Sequence, residues 1–253
     1  MAQRDEIAAF LDDYLDVARI RDHGINGLQV EGKEKVEKVA VGVSASLELF
    51  RRAAKADADM VIVHHGLFWS NSPREITNVM KHRLKALFDC DITLLAYHLP
   101  LDSHPEIGNN AQIAKLLGLN VESREFGLYD STSLGVIGTT PEPVPFASFA
   151  QLVASALSVT PSVLASGPEM VNRIGIISGG AASQIHEAIV RECDVYVTGE
   201  TGEPTPALAK EGHINFIGVG HYNSEKYGPI ALGRLVQERF GVTVEFIDIP
   251  NPF

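Results

Sequence analysis

Residues 36–43, Val-Glu-Lys-Val-Ala-Val-Gly-Val, are the stretch of sequence from which the fold can be inferred. β-Branched valine recurs along this stretch, which predicts a strand. A helical pattern follows over residues 46–56, and the short apolar run 60–63 predicts a second, buried strand. Before the first strand, apolar residues recur at helical spacing from Ile7 to Ala18, which predicts an amphipathic helix. This β-α-β order is typical of α/β layers with a largely parallel or mixed sheet, so we expect the α/β class.

The β-α-β pattern occurs twice in the chain. Residues 171–198 align with residues 36–63 without a gap at a shift of 135, and a later passage of each half aligns at a shift of 123. The paired positions include Asp59 with Asp194, His98 with His221 and Asp102 with Glu225. Because the paired segments keep the same order, the sequence predicts two related α/β halves.

A cluster of glycine and proline residues over positions 127–145 marks the joint between these halves. We therefore expect residues 1–126 to form the first α/β half and residues 127–253 the second. The pattern leaves open whether the last strand, residues 242–248, stays in the second half or returns to the first.

The composition excludes several classes of protein. Hydrophobic residues make up 45% of the 253 residues and charged residues 21%, which is typical of a globular chain rather than a disordered one. The formal charge of −11 argues against nucleic-acid binding. Cys90 and Cys193 stand alone, so a disulfide framework is excluded and a cytoplasmic location is expected. No apolar run approaches the roughly 18 residues of a membrane span, and no signal peptide is expected.

Histidine and acidic residues follow three predicted strands. His64-His65 comes after the strand at 60–63, and both His98 and His221 are followed four positions later by an acidic residue. Ligands gather beyond the carboxyl ends of strands in α/β sheets, and imidazole with carboxylate suits zinc, iron or manganese. Adjacent histidines on a strand point to opposite sides, which suits two ions better than one. The alternative is that these are ordinary turn residues.

Five motifs distributed along the chain carry most of its histidine and acidic candidates. They are Asn26-Gly27-Leu28-Gln29-Val30, His64-His65-Gly66-Leu67-Phe68-Trp69, Tyr97-His98-Leu99-Pro100-Leu101-Asp102, Thr198-Gly199-Glu200 and Gly220-His221-Tyr222-Asn223-Ser224-Glu225. In combination they make the chain similar, over essentially its full length, to a known family, the GTP cyclohydrolase 1 type 2 homologues, also called Nif-three-like dinuclear-metal proteins.

The resemblance implies a ligand set for two divalent metal ions per chain, which would be zinc, iron or manganese. His64 and Asp102 would bind one ion, His65 and His221 the other, and Glu225 would bridge them. The family also implies two α/β halves facing each other across a dinuclear metal cleft, in the short form without an inserted middle domain, and a homohexameric ring.

Two further residues of the motifs are not counted among the metal ligands. His98 would orient Asp102 or transfer a proton, and Glu200 would orient a metal ligand; the alternative is that both are ordinary turn residues. No catalytic side chain is assigned from the sequence.

Two ions roughly 3.5 to 4 Å apart lower the pKa of a bridging water and supply hydroxide, which predicts a metal-dependent hydrolase acting on a small molecule. The family name suggests a GTP cyclohydrolase reaction on a nucleotide. The alternative is a non-catalytic metal-binding ring scaffold or a ligand-binding protein.

Two segments are candidates for binding the phosphates of a nucleotide. The first is a basic cluster, which is otherwise a solvated helix face: Arg74, Lys81, His82, Arg83 and Lys85. The second is the turn Ser178-Gly179-Gly180, which is otherwise a helix cap.

Overall fold

The computed structural model describes residues 1–252 as a mixed arrangement of helices and strands, which confirms the α/β class. The helices are α1 (Arg4–Tyr14), α2 (Leu47–Lys55), α3 (Asn78–Asp89), α4 (Leu99–Asp102), α5 (Asn109–Leu116), α6 (Phe146–Leu157), α7 (Ile185–Val190), α8 (Thr205–Glu211), α9 (His221–Glu225) and α10 (Tyr227–Phe240). The strands are β1 (Ala2–Gln3), β2 (Gly27–Val30), β3 (Lys35–Val36), β4 (Lys38–Ser44), β5 (Met60–His65), β6 (Thr93–Ala96), β7 (Asn120–Ser123), β8 (Leu128–Tyr129), β9 (Thr132–Ser133), β10 (Val136–Pro145), β11 (Ser162–Leu164), β12 (Met170–Ile177), β13 (Val195–Thr198), β14 (Asn215–Gly218) and β15 (Thr243–Phe246).

The chain folds into two compact units, and their bounds differ from the expected joint at 126/127. Unit 1 contains residues 1–101 and 228–250, and unit 2 contains residues 102–227 and the chain from Asn251 on. The difference has a structural cause: β7, expected in the first half, pairs with β10 in unit 2, while β15 pairs with β4 in unit 1.

Unit 1 is built on a five-stranded sheet in the order β15-β4-β5-β6-β2. The first four strands are parallel, and β2 is antiparallel to β6. Helix α2 begins after Ser46, whose hydroxyl accepts a hydrogen bond from the backbone N–H of Leu49 at 3.1 Å. The buried side chains of Leu49 and Phe50 pack into a core with Val61 and Leu94 of the sheet.

Unit 2 is built on a six-stranded sheet in the order β11-β14-β13-β12-β10-β7. Strands β12, β13 and β14 are parallel, and β10 and β11 are antiparallel to their neighbours in this block. Helix α6 covers the sheet with Phe146, Phe149 and Val153, which pack against Val171 and Ile174 of β12. The carboxyl ends of the three parallel strands lead into the turns at Ser178, Gly199 and Gly220.

Asp59 and Asp194, which the sequence comparison paired, make equivalent hydrogen bonds in the two units. Asp59 Oδ2 accepts from the backbone N–H groups of Glu37 and Lys38 at 2.9 and 3.1 Å. Asp194 Oδ2 accepts from those of Asn172 and Arg173, both at 2.8 Å. Each carboxylate therefore fixes the backbone near the start of the neighbouring parallel strand. In both units the two N–H groups belong to residues 22 and 21 positions before the aspartate.

Helix length bears on membrane insertion. The 14 residues of α10 fall short of the roughly 20 that a spanning helix needs. Across residues 1–252, no helix has the length and apolar character required to cross a bilayer.

Candidate metal-binding site

His64 lies at the carboxyl end of β5 and is fully buried. Its Nδ1 atom lies 2.9 Å from the backbone carbonyl oxygen of Tyr97. Because a carbonyl oxygen only accepts, Nδ1 carries the proton in the neutral ring and Nε2 carries the lone pair. Histidines that bind metal ions show this arrangement, in which the second nitrogen donates to an oxygen acceptor.

His65 is the last residue of β5, and its Nδ1 atom lies 3.0 Å from the hydroxyl of Ser44 at the end of β4. His64 and His65 therefore form hydrogen bonds towards different neighbours of β5, the end of β6 and the end of β4. Their ring centroids are nevertheless only 4.6 Å apart. One ring nitrogen each of His64, His65 and His98 lies within 4.8 Å of the others.

His98 follows β6 and is held by Asp22. The Nδ1 atom of His98 lies 2.8 Å from Asp22 Oδ1, and the Asp22 side chain is only 2% exposed. Burial favours the neutral form of this carboxyl, but hydrogen bonds from His98, Asn26 and the backbone of Gly24 outweigh it and hold the pKa of Asp22 well below its usual range. Asp22 is therefore a carboxylate, and Nδ1 of His98 donates to it.

The side chains of Asn26 and Gln29 connect two other segments of unit 1 by hydrogen bonds to their backbone. Asn26 Oδ1 accepts from the backbone N–H of His98 at 2.7 Å. Gln29 Oε1 accepts from the backbone N–H of Leu67 at 2.7 Å, and a side chain at Gly66 would collide with this amide. These contacts position the segments that follow β5 and β6, next to the histidines.

Asp102 and Glu225 are the buried carboxylates of unit 2. A carboxylate oxygen of Asp102 lies within 4.8 Å of one of Glu225. Asp102 Oδ1 accepts from Asn109 Nδ2 at 2.8 Å and from the Ser178 hydroxyl at 3.3 Å. Two carboxylates buried so close together favour a cation between them, because the cation balances the like charges that the fold brings together.

His221 begins helix α9 and contacts two carboxylates. Its Nδ1 atom lies 2.6 Å from Glu200 Oε1, and its Nε2 atom lies 2.9 Å from Glu225 Oε2. The interaction with Glu225, supported by Glu200 and opposed by burial, raises the pKa of His221 to about 9 in the metal-free protein. A metal ion would take the place of the proton that now joins His221 to Glu225.

The turn Ser178-Gly179-Gly180 uses its backbone N–H groups within unit 2. Ser178 N–H donates to Asn110 Oδ1 at 2.7 Å, and Gly179 N–H donates to the Ser224 hydroxyl at 2.9 Å. These two donors are already satisfied by side chains, so the turn is a poor phosphate site.

The basic cluster considered as a candidate phosphate site lies on α3 and the loop before it. Arg74, Lys81 and Lys85 are exposed, and Lys85 pairs with Asp89 at 2.8 Å. The arrangement corresponds to the other interpretation of these residues, a solvated helix face.

Unit 2 contains a cavity of about 540 Å³ beside Glu200, a volume within the range of small-molecule sites. Its polar side chains are those of Thr160, Ser162, Thr201, Asn223 and Glu200, and glycines from the strand ends form much of the remainder. No lysine or arginine is among the described lining residues.

The structure thus groups His64 and His65 with His98 in unit 1, and Asp102, Glu225 and His221 with Glu200 in unit 2. Neutral imidazole nitrogens and buried carboxylates are a donor set that fits divalent metal ions. The sequence analysis missed Asp22, Ser44 and Ser178 as partners of these residues. Ser44 and Ser178 stand at the ends of β4 and β12, so inspecting every strand end would have found them, whereas nothing in the sequence singles out Asp22.

The chain is similar to known proteins over nearly its full length. The sequence model of a family described as Duf34/NIF3 (NGG1p interacting factor 3) matches residues 2–252. A Pseudomonas aeruginosa protein named GTP cyclohydrolase 1 type 2 homolog is 46% identical over 242 residues, which cover 95% of each chain. A solved structure titled protein ybgI, unknown function, is 40% identical with a TM-score of 0.95 over 100% of both chains. The structure of TTHA1606 from Thermus thermophilus is 35% identical with a TM-score of 0.90 over 100% of both chains.

Proposed function

Because the chain belongs to the Duf34/NIF3 family, we propose that it is a metal-dependent hydrolase that binds two divalent ions per chain. The membership confirms the resemblance inferred from the sequence motifs. The observation that carries the proposal is the hydrogen bond from His64 Nδ1 to the carbonyl of Tyr97, because it leaves a buried imidazole in the form that binds a metal ion.

We assign the ligands as the family resemblance implies. His64 and Asp102 serve one ion, His65 and His221 the other, and Glu225 serves both. The identity of the ions is zinc, iron or manganese, since imidazole and carboxylate suit all three. When bound, such a pair supplies a Lewis acid and activates water for hydrolysis near neutral pH.

The surrounding residues prepare the ligands for this role. Glu200 accepts the Nδ1 proton of His221 and so directs Nε2 towards Glu225. Asn109 and Ser178 hold one oxygen of Asp102, which fixes the rotation of its carboxylate. Ligands held in advance lose little freedom when the ion binds.

We further propose a small-molecule substrate that enters the cavity beside Glu200. The hydroxyl and amide groups there suit a polar ligand. A nucleotide, as in a GTP cyclohydrolase reaction, is included in this proposal. Because the described lining contains no lysine or arginine, the cations that neutralise its phosphates would have to come from outside the cavity. The substrate panel therefore includes nucleosides as well as nucleoside triphosphates.

We also propose a homohexameric ring and a cytoplasmic location, which are supported by the family resemblance and by the cysteines rather than by the metal site. The ring is supported by the family resemblance, and light scattering of the metal-loaded protein tests it. The location is supported by the two unpaired cysteines, Cys90 and Cys193, which suit a reducing compartment.

Metal analysis of protein purified without chelator tests the central proposal, and we expect about two ions per chain. His65→Ala and Asp102→Ala should each lower this number while thermal unfolding stays cooperative. His82→Ala, on the exposed face of α3, is the matched control and should leave the number unchanged. A wild-type content of zero, with no rebinding of zinc, manganese or iron, would overturn the proposal.

Turnover separates a hydrolase from the alternative. We expect hydrolysis of at least one member of a nucleotide, nucleoside, phosphoester and amide panel, and its loss in Glu225→Gln with the fold retained. Metal-dependent assembly with no turnover would instead favour a metal-binding ring scaffold or a ligand-binding protein.

A further inference from the structure

Helices α2 and α3 lie side by side on one face of the unit 1 sheet. Phe50 of α2 and both Leu84 and Leu87 of α3 are buried in the same core, which covers β5 and β6. Between them the two helices leave a cavity of about 340 Å³, within the size range of small-molecule sites. None of the described lining residues belongs to the candidate metal-binding site.

The floor of this cavity is apolar, and small side chains create its space. Phe50 is fully buried, and Ala54 of α2 and Ala86 of α3 are half-buried. The lining residues recur every three to four positions along each helix, so each helix presents one stripe of side chains to the cavity. A ligand with an apolar body would therefore bury surface against side chains from both helices.

The rim of the cavity carries a cation without an acid to balance it. Lys85 is paired with Asp89 of the same helix at 2.8 Å. Arg51 of α2 is exposed and lines the cavity, but among residues 1–252 its side chain has no hydrogen bond and no ion pair. A guanidinium forms its strongest contacts with carboxylate and phosphate oxygens. Arg51 is therefore available to an anionic group of a ligand.

An adjoining hollow of about 530 Å³ adds to the positive charge. It shares Arg51 with the cavity and is lined by Arg52 and Lys55 as well. Arg52 is paired with Glu48, whereas Lys55 has no ion pair within the part of the chain that the structure describes. This edge of unit 1 is thus positive, although the chain as a whole has a formal charge of −11.

The basic cluster considered above as a phosphate site contributes little to this cavity. Of that cluster, only His82 and Lys85 are among the described lining residues, and Lys85 is already paired. The cations without a partner, Arg51 and Lys55, come from α2. The sequence analysis did not consider that helix as a source of ligand contacts.

We propose that the cavity between α2 and α3 binds a small organic anion, with its carboxylate or phosphate group on Arg51 and its apolar body on the floor beside Phe50. Charge complementarity selects this occupant, because a neutral ligand leaves the guanidinium unpaired and a cationic one is repelled. The site is independent of the metal ions, so it stands or falls separately from the proposed hydrolase function.

Two fluorescent probes with the same apolar body test the proposal: anilinonaphthalene sulfonate is an anion, and phenylnaphthylamine is neutral. We expect the sulfonate to bind the metal-loaded protein, and Arg51→Gln to weaken it at least about tenfold through loss of a charge-assisted contact. Arg74→Gln, an exposed cation outside the lining, is the matched control and should leave affinity unchanged. The neutral probe should not distinguish the two variants. Equal affinity of both variants for the sulfonate would overturn the proposal.

Cys90 supplies a second readout, because its exposed thiol lines the same cavity. Saturation with the sulfonate probe should slow alkylation of Cys90 by iodoacetamide at least about fivefold, since the bound probe covers the thiol. Ala86→Leu fills the space and should abolish sulfonate binding while unfolding remains cooperative. An unchanged alkylation rate at saturation would place the probe elsewhere and overturn this cavity as its site.

Displacement of the sulfonate probe identifies the anionic group. Octanoate and octyl phosphate share an apolar chain and differ in the charged group, and we expect the preferred one to displace the probe at the lower concentration. Octanol, which has no charge, should not displace it. Equal displacement by all three would overturn the role of charge.

The metal content and molar mass of Arg51→Gln complete the test. We expect both to equal those of wild type, because Arg51 is placed in neither the metal site nor a contact between chains. A change in molar mass by light scattering, with probe affinity unchanged, would make this face an interface between copies and overturn a small-molecule site. Absence of metal from wild type would overturn the proposed function and leave this site unaffected.

Discussion

Gly179 and Glu225 are packed so closely that a side chain on the glycine would collide with the carboxylate. Gly179 has a backbone φ of +68°, in the left-handed region that favours glycine, and a Cβ there would strike Glu225 Oε1. The backbone of the turn after β12 thus forms one wall of the pocket that holds the Glu225 side chain. This gives the turn a role that its sequence, a pair of glycines, does not reveal.

Gly179→Ala should therefore displace the Glu225 carboxylate. We expect loss of at least one metal ion per chain, and a lower free energy of unfolding because of backbone strain of about 1 to 2 kcal/mol. Gly180→Ala is the matched control, since the nearest side-chain atom would be 3.4 Å from its Cβ. Metal analysis and urea unfolding of both variants measure the difference, and equal metal content would contradict this role of Gly179.

Glu200→Gln removes the negative charge that accepts the Nδ1 proton of His221. A neutral amide makes His221 a weaker ligand, so we expect metal affinity to fall about 10- to 100-fold while saturation still reaches the wild-type content. Titration with a competing chelator measures this. Glu203→Gln, an exposed change three residues away, should leave affinity unaltered. Comparable losses in both variants would assign the effect to general surface charge.

Metal affinity should rise with pH, because His221 must lose a proton before its Nε2 binds an ion. With its pKa raised to about 9 by Glu225 and Glu200, the affinity should increase up to about pH 9 and then level off. The stability of the metal-free protein changes in the opposite direction. The raised pKa contributes stability in full below about pH 6.5, its unfolded value, and that contribution is lost as the pH passes 9. His221→Gln should flatten that part of the stability profile.

Asp59→Ala and Asp194→Ala should destabilise the protein by similar mechanisms. Each leaves two backbone N–H groups without their acceptor, which costs about 1 to 3 kcal/mol. The loss at Asp59 should be larger, because this carboxylate also pairs with Lys33 Nζ at 2.6 Å. Chemical denaturation measures both. If Asp194→Ala is neutral, then its two hydrogen bonds at 2.8 Å contribute nothing to the second sheet.

The two cysteines should differ in reactivity. Burial raises the pKa of the Cys193 thiol to about 12, whereas Cys90 is exposed at the end of α3. At pH 8, a thiol reagent should modify one cysteine per native chain and two after denaturation in urea. Rapid modification of Cys193 in the native protein would show that its surroundings open readily.

The succession of strands along the chain, and the turns that carry the candidate ligands, could be predicted from the sequence because they depend on local patterns. The strands at 38–44 and 60–65 follow runs of valine and isoleucine, and ligand candidates follow strand ends. Long-range pairing could not be predicted in the same way. Nothing local to Val121 or Val244 says which sheet each strand joins, since both lie in short strands, of which one is antiparallel to β10 and the other parallel to β4.

The partners of the histidines were harder still to predict. Asp22 lies 76 residues from His98, in a segment that carries no regular pattern.

The first helix ends at Tyr14 although apolar spacing continues to Ala18, because Asp16 adopts a left-handed conformation that breaks the helix. Such breaks depend on tertiary packing as well as on helix propensity.

The pairing of β15 with β4 has a consequence for how the protein is made. On the ribosome, the sheet of unit 1 lacks one edge strand until β15 has been synthesised, long after its neighbour β4. Until then β4 presents unpaired backbone groups that can attract other nascent chains. Fragments cut at the glycine-rich joint would each carry an incomplete sheet, so they should become native only when mixed, as complementing pieces of one protein.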